Sequence, residues 1–264
     1  MSIKAIFSPQ LGKLAIHSNL VNNFDPHSEP SNLRVSVLMI TYNGSKFINE
    51  QMISIIDNLT KDDELIVIDD KSTDDTVRYV EERLGQCHCN TQLHCNSENV
   101  GIQKNISRGI RLASNDIIVF SDQDDIWLEN KIKFIKNAFQ SDLALYVHNA
   151  KYFGNSLQNI NGETSFEHLK ISKNLFKNLI RNQYIGCCMA IDKRYFEFGV
   201  LDKLEKSVMH DWYLACYAMK NKLRIKIDNQ IHILHRRHAE NLTPKKTSFK
   251  TKLIMRAKMV WILQ

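Results

Sequence analysis

The sequence predicts an α/β fold built around a mainly parallel central sheet. The chain has 264 residues, of which 43% are hydrophobic, and this is enough for one domain with a sizeable core. Nearly continuous apolar runs, typical of strands covered on both faces, alternate with segments whose apolar residues recur at helical spacing. This alternation predicts right-handed βαβ crossovers, which join parallel strands.

Strand-like and helix-like segments alternate through the first half of the chain. The apolar runs that predict strands lie at 35–40, 65–68, 92–95 and 116–120. The residues that predict helices are Ile48, Met52, Ile55, Ile56 and Leu59, then Val77, Val80 and Leu84, then Ile102, Ile106, Ile110 and Ala113, and finally Leu128, Ile132, Ile135 and Phe139. Ser72 with Asp75 resembles a capping box ahead of the second helix.

The second half of the chain has a less regular pattern. It predicts strands at 143–147, 184–191, 224–227 and 231–234, and helices at 175–180 and from His210 onward. We divide the chain into an extension over residues 1–33, one α/β domain over 34–243 and a basic tail over 244–264.

The positive charge of the chain is concentrated in the tail. The formal net charge is +6, and residues 244–264 hold six cations and no acidic residue, so the rest of the chain is formally neutral. The neutral body gives no charge argument for nucleic acid. In the tail, apolar residues share one face of a predicted amphipathic helix: Phe249, Leu253, Ala257, Val260 and Trp261. Such a helix suits an anionic membrane surface, while a docking helix or an RNA contact remains open.

Cysteine usage and the absence of long apolar runs bear on location. The six cysteines are scattered, no apolar run of about 18 residues occurs, and no apolar signal segment follows the start. Free thiols in a reducing cytosol are the simplest interpretation. Cys87-His88-Cys89 with Cys95 lacks the paired two-residue gaps of a structural zinc site, so thiols in a loop or strand are preferred there.

Polar clusters follow the predicted strands at the edge where parallel sheets bind ligands. Thr41-Tyr42-Asn43, Asp69-Asp70 and Asp122-Gln123-Asp124-Asp125 each come directly after an apolar run. Carboxylates so close together repel unless a cation offsets them, and Mg²⁺ or Mn²⁺ is the natural partner. Asp125 is alternatively a cap for the helix that starts near Leu128.

Two further clusters could take part in chemistry. Asp211 precedes a predicted helix, where its anion is stabilised and could act as a general base, although a helix cap explains it equally well. Downstream, Arg236 and Arg237 lie between two histidines and supply cationic groups suited to a diphosphate. His238 is a candidate metal ligand or phosphate contact.

Together these motifs, in this order, resemble glycosyltransferase family 2, the inverting enzymes of GT-A fold that act in bacterial polysaccharide synthesis. The resemblance runs from about Arg34 to Asn241, and the string from Ser121 to Trp127 is similar to the variant found in O-antigen and capsule enzymes, including rhamnosyltransferases. It implies a nucleotide-sugar donor, Mn²⁺ or Mg²⁺, and a general base. His235 departs from the family pattern, in which an aromatic residue is commoner.

The resemblance also assigns roles to individual residues. Asp211 would be the catalytic base, and Asp124 and His238 would hold the metal. The expected donor-binding residues are Thr41, Tyr42, Asn43, Asp70, Asn99, Gly101, Asp122 and Arg236. Within that set, Asp70 would meet the base, Asp122 the ribose and Arg236 the diphosphate.

The implied function is sugar transfer from a UDP- or dTDP-sugar to a saccharide acceptor linked to undecaprenyl diphosphate. The enzyme would work in the cytoplasm, peripheral to the inner membrane through its tail, without a nucleic-acid partner. Nucleotidyl transfer is the rival chemistry, but it predicts a glycine-rich phosphate loop, and only Gly44 lies near the first strand. An inactive sugar- or nucleic-acid-binding module is the other alternative.

Overall fold

A computed structural model describes residues 33–154, 162–196, 199–238 and 248–264. The predicted extension, apart from Leu33, and the start of the tail lie outside these ranges. The described strands are β1 Val35–Thr41, β2 Glu64–Asp69, β3 Asn90–Cys95, β4 Ile117–Ser121, β5 Ile126–Trp127, β6 Leu145–Phe153, β7 Met189–Asp192 and β8 Ile225–Arg236. The described helices are α1 Ile48–Ile56, α2 Thr76–Leu84, α3 Ile102–Leu112, α4 Lys131–Ala138, α5 Ser165–Leu169, α6 Leu175–Ile180, α7 Val200–Glu205, α8 His210–Lys220 and α9 Phe249–Leu263.

The described strands form one sheet in the order β3-β2-β1-β4-β7-β6-β8-β5. Parallel pairing joins β3, β2, β1 and β4, and also β6 and β8, whereas β7 is antiparallel to both of its neighbours and β5 to β8. The predicted α/β fold with a mainly parallel sheet is confirmed. The residues of β1, β2 and β4 are almost all buried, which explains their continuous apolar runs.

Strand register brings the predicted polar clusters to one edge of the sheet. Thr41 at the end of β1 pairs with Asp69 at the end of β2, and Met39 pairs with Ser121 at the end of β4. Because β7 runs antiparallel to β4, with Val119 opposite Ala190, the residues that precede β7 lie beside those that follow β4. Segments distant in sequence therefore meet at the carboxyl end of β4.

Two strand predictions in the second half were wrong. Residues 184–188 do not belong to a strand, because Gly186–Cys188 form a 3-10 turn and β7 begins only at Met189. The two strands predicted at 224–227 and 231–234 form the single strand β8, whose pairing with β6 shifts register around His148 and Asn149. Such a shift accommodates the polar residues that interrupted the apolar pattern.

The predicted helix caps also differ from those observed. Ser72 does not cap α2, because its hydroxyl donates to Asp69 and the N-cap residue is Asp75, whose side chain makes no capping bond. The helix predicted from Leu128 begins at Lys131, after Asn130 in a left-handed conformation with φ of 66°. Asp125 is thus too far from α4 to cap it.

The tail forms a helix that docks on the domain. Met259, Ile262 and Leu263 of α9 are buried, and Arg256 donates to the carbonyl oxygen of Ile180 in α6 at 2.6 Å. The apolar face expected from the sequence instead points to solvent, where Trp261 is 66% exposed. Within the described ranges, no helix has both the length and the apolar composition needed to cross a membrane.

Candidate active site

The acidic loop, residues 122–125, is tied to the end of β1 by a side chain between its carboxylates. Gln123 accepts a hydrogen bond from the backbone N–H of Tyr42 at 2.9 Å and donates to the carbonyl oxygen of Tyr42 at 3.0 Å. A Cβ on Gly44 would lie 2.3 Å from the Gln123 amide oxygen, so a larger residue there would displace this amide from Tyr42. The Gln123 side chain therefore fixes the position of the acidic loop relative to the end of β1.

Asp124 and His238 converge as the resemblance implies. Asp124 Oδ2 lies 2.7 Å from His238 Nε2, and the His238 ring packs against Phe47 with 4.7 Å between centroids. Burial, and then repulsion from Asp125, raises the pKa of Asp124 above its ordinary value, against the opposing effect of His238. A divalent cation bound by this pair would relieve that repulsion, so the residues fit Mn²⁺ or Mg²⁺.

Asp125 connects the acidic loop to β8. Its Oδ1 accepts from the backbone N–H of Arg236 at 3.0 Å and lies 2.8 Å from His235 Nδ1. Although burial disfavours a charged imidazole, Asp125 and then Asp122 raise the pKa of His235 to about 10. The proposed capping role of Asp125 was wrong, because this carboxylate forms a buried ion pair instead.

Arg236 is buried in the site and makes several contacts with neighbouring residues. It is 4% exposed, its Nε donates to the Asp124 carbonyl oxygen at 2.8 Å, and its Nη2 donates to Glu50 at 2.5 Å. The guanidinium lies 4.6 Å from the Phe47 ring and 4.5 Å from the Phe153 ring. These contacts hold the backbone of Asp124, while contact of Arg236 with a diphosphate stays a prediction.

Asp122 faces inward, toward the residues that precede β7. Burial, and then repulsion from Asp125 and Asp124, raises its pKa to about 7. One of its oxygen atoms lies within 4.8 Å of ligand atoms on Asp125, Cys187 and His235. Its expected contact with a ribose stays a prediction.

The residues expected at the end of β1 divide into buried and exposed groups. The Thr41 hydroxyl is buried and donates to Asp69 Oδ2 at 2.8 Å, so it joins two strand ends. Asn43 has φ of 46° and accepts from the backbone N–H of Thr73 at 2.8 Å. Tyr42 is 45% exposed, so its aromatic ring is accessible at this edge of the sheet.

Asp70 organises the turn before α3. It accepts hydrogen bonds at 2.9 Å from the backbone N–H groups of Val100 and Gly101 and from the Asn96 amide. Despite its burial, these hydrogen bonds and the influence of Asn105 lower its pKa. Gly101 has φ of 88°, a conformation that favours glycine. Exposed Asn99 lies in the same turn as Gly101, so these two residues, both expected to bind the donor, share one loop.

Asp211 lies in the first turn of α8 and is 5% exposed. Its Oδ1 accepts from the backbone N–H of Trp212 at 2.6 Å and from the Asn182 amide at 3.2 Å. Burial raises its pKa, while His210, Trp212, Asn182 and the backbone N–H of Gly186 favour the anion. A carboxyl group with a raised pKa is suited to accepting a proton.

A pair of adjacent residues joins this carboxylate to the acidic loop. The backbone N–H of Gly186 lies close enough to Asp211 to favour its anion, and the next side chain, Cys187, belongs to the group that surrounds Asp122. A Cβ on Gly186 would lie 2.2 Å from His210 Nε2, so the close packing of α8 requires glycine here. The structure thus links Asp211, remote in sequence, to the acidic loop through these two adjacent residues.

Several residues that shape the site were not assigned from the sequence. Gln123 anchors the acidic loop, and Asn182 donates to Asp211. Cys187 lies beside Asp122, and His235 pairs with Asp125. A buried lysine, Lys131, donates to the Cys187 carbonyl oxygen at 3.1 Å. These contacts join segments that are far apart in the sequence. The sequence indicated only that some of these residues lie next to a recognised motif.

The comparisons with known proteins agree with this geometry. The model for Glycosyl transferase family 2 matches residues 36–199, which include the acidic loop. The dTDP-rhamnosyl transferase RfbG of Shigella flexneri is 31% identical over 226 residues, or 81% of this chain and 76% of RfbG. The chain belongs to glycosyl transferase family 2. It is accordingly a glycosyltransferase, as the sequence predicted.

Another relative and two solved structures are also similar to this family 2 glycosyltransferase. The Escherichia coli enzyme WfgD, a UDP-Glc:alpha-D-GlcNAc-diphosphoundecaprenol beta-1,3-glucosyltransferase, is 26% identical over 71% of this chain and 70% of its own. Staphylococcus aureus TarS 1–349 with UDP has a TM-score of 0.62 at 19% identity, covering 86% of this chain and 65% of that one. The Pyrobaculum calidifontis mannosyltransferase PcManGT with GDP-Man and Mn²⁺ has a TM-score of 0.60 at 18% identity, covering 95% and 68%. The expected GT-A fold is confirmed.

Proposed function

We propose that the chain is an inverting glycosyltransferase that moves a sugar from a UDP- or dTDP-sugar to a lipid-linked saccharide in bacterial O-antigen or capsule synthesis. The observation that carries this proposal is the position of Asp211. This buried carboxylate has a raised pKa and lies near the backbone N–H of Gly186, and the next residue, Cys187, belongs to the group around Asp122. A base and a donor site so close together suit direct transfer between two bound sugars.

In the proposed reaction, Asp211 removes the proton from an acceptor hydroxyl. That oxygen bonds to the anomeric carbon from the face opposite the diphosphate, and the bond from the anomeric carbon to the phosphate oxygen breaks. Asn182 and Trp212 hold Asp211 Oδ1, which leaves Oδ2 as the candidate proton acceptor. One displacement of this kind inverts the anomeric configuration.

Asp124 and His238 are the proposed ligands of Mn²⁺ or Mg²⁺. When bound, the cation supplies positive charge that offsets charge developing on the leaving diphosphate. Gln123 joins the acidic loop to Tyr42, and Arg236 donates to the Asp124 carbonyl oxygen. These two contacts fix the backbone of Asp124. Preorganised charge of this kind lowers the cost of reaching the transition state.

Transfer from a panel of nucleotide sugars tests the proposed function. We expect a UDP- or dTDP-sugar to raise the melting temperature in the presence of Mn²⁺, because a ligand that binds the folded state stabilises it. The best donor should then be consumed in the presence of a lipid-linked saccharide. A donor that stabilises the chain without any turnover would indicate an inactive sugar-binding module, and a panel with neither effect would refute the proposed function. Turnover that releases a sugar 1-phosphate, in place of UDP or dTDP, would indicate nucleotidyl transfer.

The acceptor and location are proposed from the name of one relative and from the surface of α9. The name of WfgD specifies a diphosphoundecaprenol acceptor, and an acceptor of that class lies in a membrane. The exposed apolar side chains of α9 include Phe249, Leu253, Ile254, Val260 and Trp261, and Phe176 and Ile180 of the neighbouring α6 extend the exposed surface. Lys250, Lys252, Arg256 and Lys258 of the same helix add positive charge. We propose that this surface binds the anionic cytoplasmic leaflet.

Adding negative charge to this surface should weaken its binding to anionic vesicles. The double variant Leu253→Glu/Trp261→Glu changes two side chains that are 57% and 66% exposed, so the fold should be retained. We expect at least about tenfold weaker binding to phosphatidylglycerol vesicles in sedimentation assays. The control Gln86→Glu/Gln140→Glu adds the same charge at exposed positions elsewhere and should bind normally. Equal binding by both variants would refute the membrane assignment.

A further inference from the structure

We propose that Asp122, Asp125, Cys187 and His235 form a second cation site of the zinc type, separate from the Asp124–His238 pair. These four residues, here called the inner cluster, each offer one ligand atom, and the four atoms lie within 4.8 Å of one another. Asp124 and His238 are not members of the cluster. The inner cluster joins the acidic loop, the turn before β7 and the end of β8.

The donor set of the inner cluster matches a transition metal better than a hard cation. A thiolate and an imidazole favour Zn²⁺ over Mg²⁺ or Ca²⁺, and two carboxylates complete four ligands. In a tetrahedral site with bonds of about 2.0–2.3 Å, ligand atoms lie roughly 3.3–3.8 Å apart. Cys187 Sγ and His235 Nδ1 already lie 3.7 Å apart, whereas Asp125 Oδ1 and His235 Nδ1, now 2.8 Å apart, would separate slightly when both bind the ion.

An unsatisfied carboxylate oxygen provides independent support for a ligand. Asp125 is fully buried, and its Oδ1 is bound by His235 and by the backbone N–H of Arg236. No nitrogen or oxygen donor in the described part of the chain reaches Asp125 Oδ2. A buried carboxylate oxygen without such a partner is costly. A metal ion at the centre of the cluster would give this oxygen a partner.

The exchange of protons for the ion is balanced in charge. Above the pKa of Asp122, which is raised to about 7, the metal-free cluster holds two carboxylates, a thiol and an imidazolium, since Asp125 keeps His235 protonated. Binding of Zn²⁺ releases one proton from the Cys187 thiol and one from the His235 ring to solvent. Two positive charges thus leave and two enter, so the buried cluster keeps its formal charge.

Occupancy of the inner cluster would regulate the proposed function. Asp122 is the expected ribose contact, and a zinc ion would hold this carboxylate in the cluster. We therefore expect Zn²⁺ to raise the KM for the donor at saturating Mn²⁺, a consequence that rests on the proposed function. Metal binding itself does not rest on it and is measured without a donor.

Spectroscopic titration with Co²⁺, a probe for Zn²⁺, tests the inner cluster directly. Cys87, Cys89 and Cys95 are replaced by serine first, because they are the half-buried or exposed thiols of the described chain. We expect one equivalent of Co²⁺ to produce a thiolate-to-cobalt charge-transfer band that Zn²⁺ removes. Cys187→Ala should abolish the band and weaken Zn²⁺ binding by at least about tenfold.

Two matched variants make the result specific. Cys188→Ala removes the adjacent buried thiol, which is not a member of the cluster, and should keep the band. Asp124→Asn alters the other candidate metal site and should also keep it. The proposal is overturned if no charge-transfer band forms, or if Cys187→Ala and Cys188→Ala bind Zn²⁺ equally. Comparable melting temperatures of the two alanine variants confirm that folding does not explain the difference.

Discussion

Asp211→Asn is expected to lower kcat for sugar transfer by about 10²–10⁴-fold, the usual contribution of a general base. Asparagine keeps the shape of the side chain, and its oxygen can still accept from Trp212 and Asn182. The residues expected to bind the donor lie elsewhere, so donor affinity should stay within about twofold of the wild type. Steady-state kinetics and calorimetric donor titration measure the two quantities.

The control for this variant is Asp202→Asn, which alters an exposed carboxylate on α7 that is paired with Arg111. It should leave kcat unchanged. An equal loss of donor affinity and of kcat in Asp211→Asn would contradict the role of Asp211 as a base, because it would place this carboxylate at the donor.

The same substitution has a predicted effect on stability. Because the pKa of Asp211 is raised in the folded state, mainly by burial, the folded chain binds this proton more tightly than the unfolded chain. Ionisation of Asp211 as the pH rises therefore lowers the free energy of unfolding. Asparagine does not ionise, so the variant should gain stability relative to the wild type as the pH rises from the ordinary aspartate pKa of about 3.9 through the raised pKa of Asp211. Thermal unfolding measured across this range gives the difference.

Asp124→Asn is expected to weaken Mn²⁺-dependent donor binding by at least about 100-fold, because it removes the proposed anionic ligand. The substitution leaves the backbone carbonyl of residue 124 bound to Arg236, so the acidic loop should keep its position. The remaining His238 cannot offset the loss, since a neutral imidazole holds a hard cation weakly. Calorimetric titration with the best donor, with and without Mn²⁺, measures the effect.

Chelation provides the control for Asp124→Asn. Removal of the metal should lower donor affinity in the wild type to the level of the variant, and added Mn²⁺ should restore the wild type alone. Donor binding in the variant that still responds to chelator would show that Asp124 is not the main ligand.

Much of the fold could be predicted because its core strands are buried on both faces. Val37, Leu38 and Ile66 lie in such continuous apolar runs. The turn at Gly186–Cys188 could not be predicted, because its backbone is set by contact with His210 on α8 rather than by local preference. The pairing of β8 with β6 absorbs polar residues through a register shift, and no local pattern specifies such a shift.

The candidate site was predicted at the level of motifs, but several roles within it were not. Asp124 and His238 meet as expected, whereas Asp125 pairs with His235 instead of capping a helix. Thr41 is an example of a residue whose hydroxyl is committed to the protein, through Asp69, rather than directed to a ligand. Sequence position indicates that a polar residue lies at the ligand edge but does not specify which partner its side chain finds.

The anomeric configuration of the product tests the central claim most directly. Two-dimensional NMR of the purified product compares the configuration at the transferred anomeric carbon with that of the donor. A single displacement with Asp211 as the base predicts the opposite configuration in the product. A retained configuration would contradict the proposed mechanism, because it requires two displacements or front-face attack, which the proposed role of Asp211 does not provide.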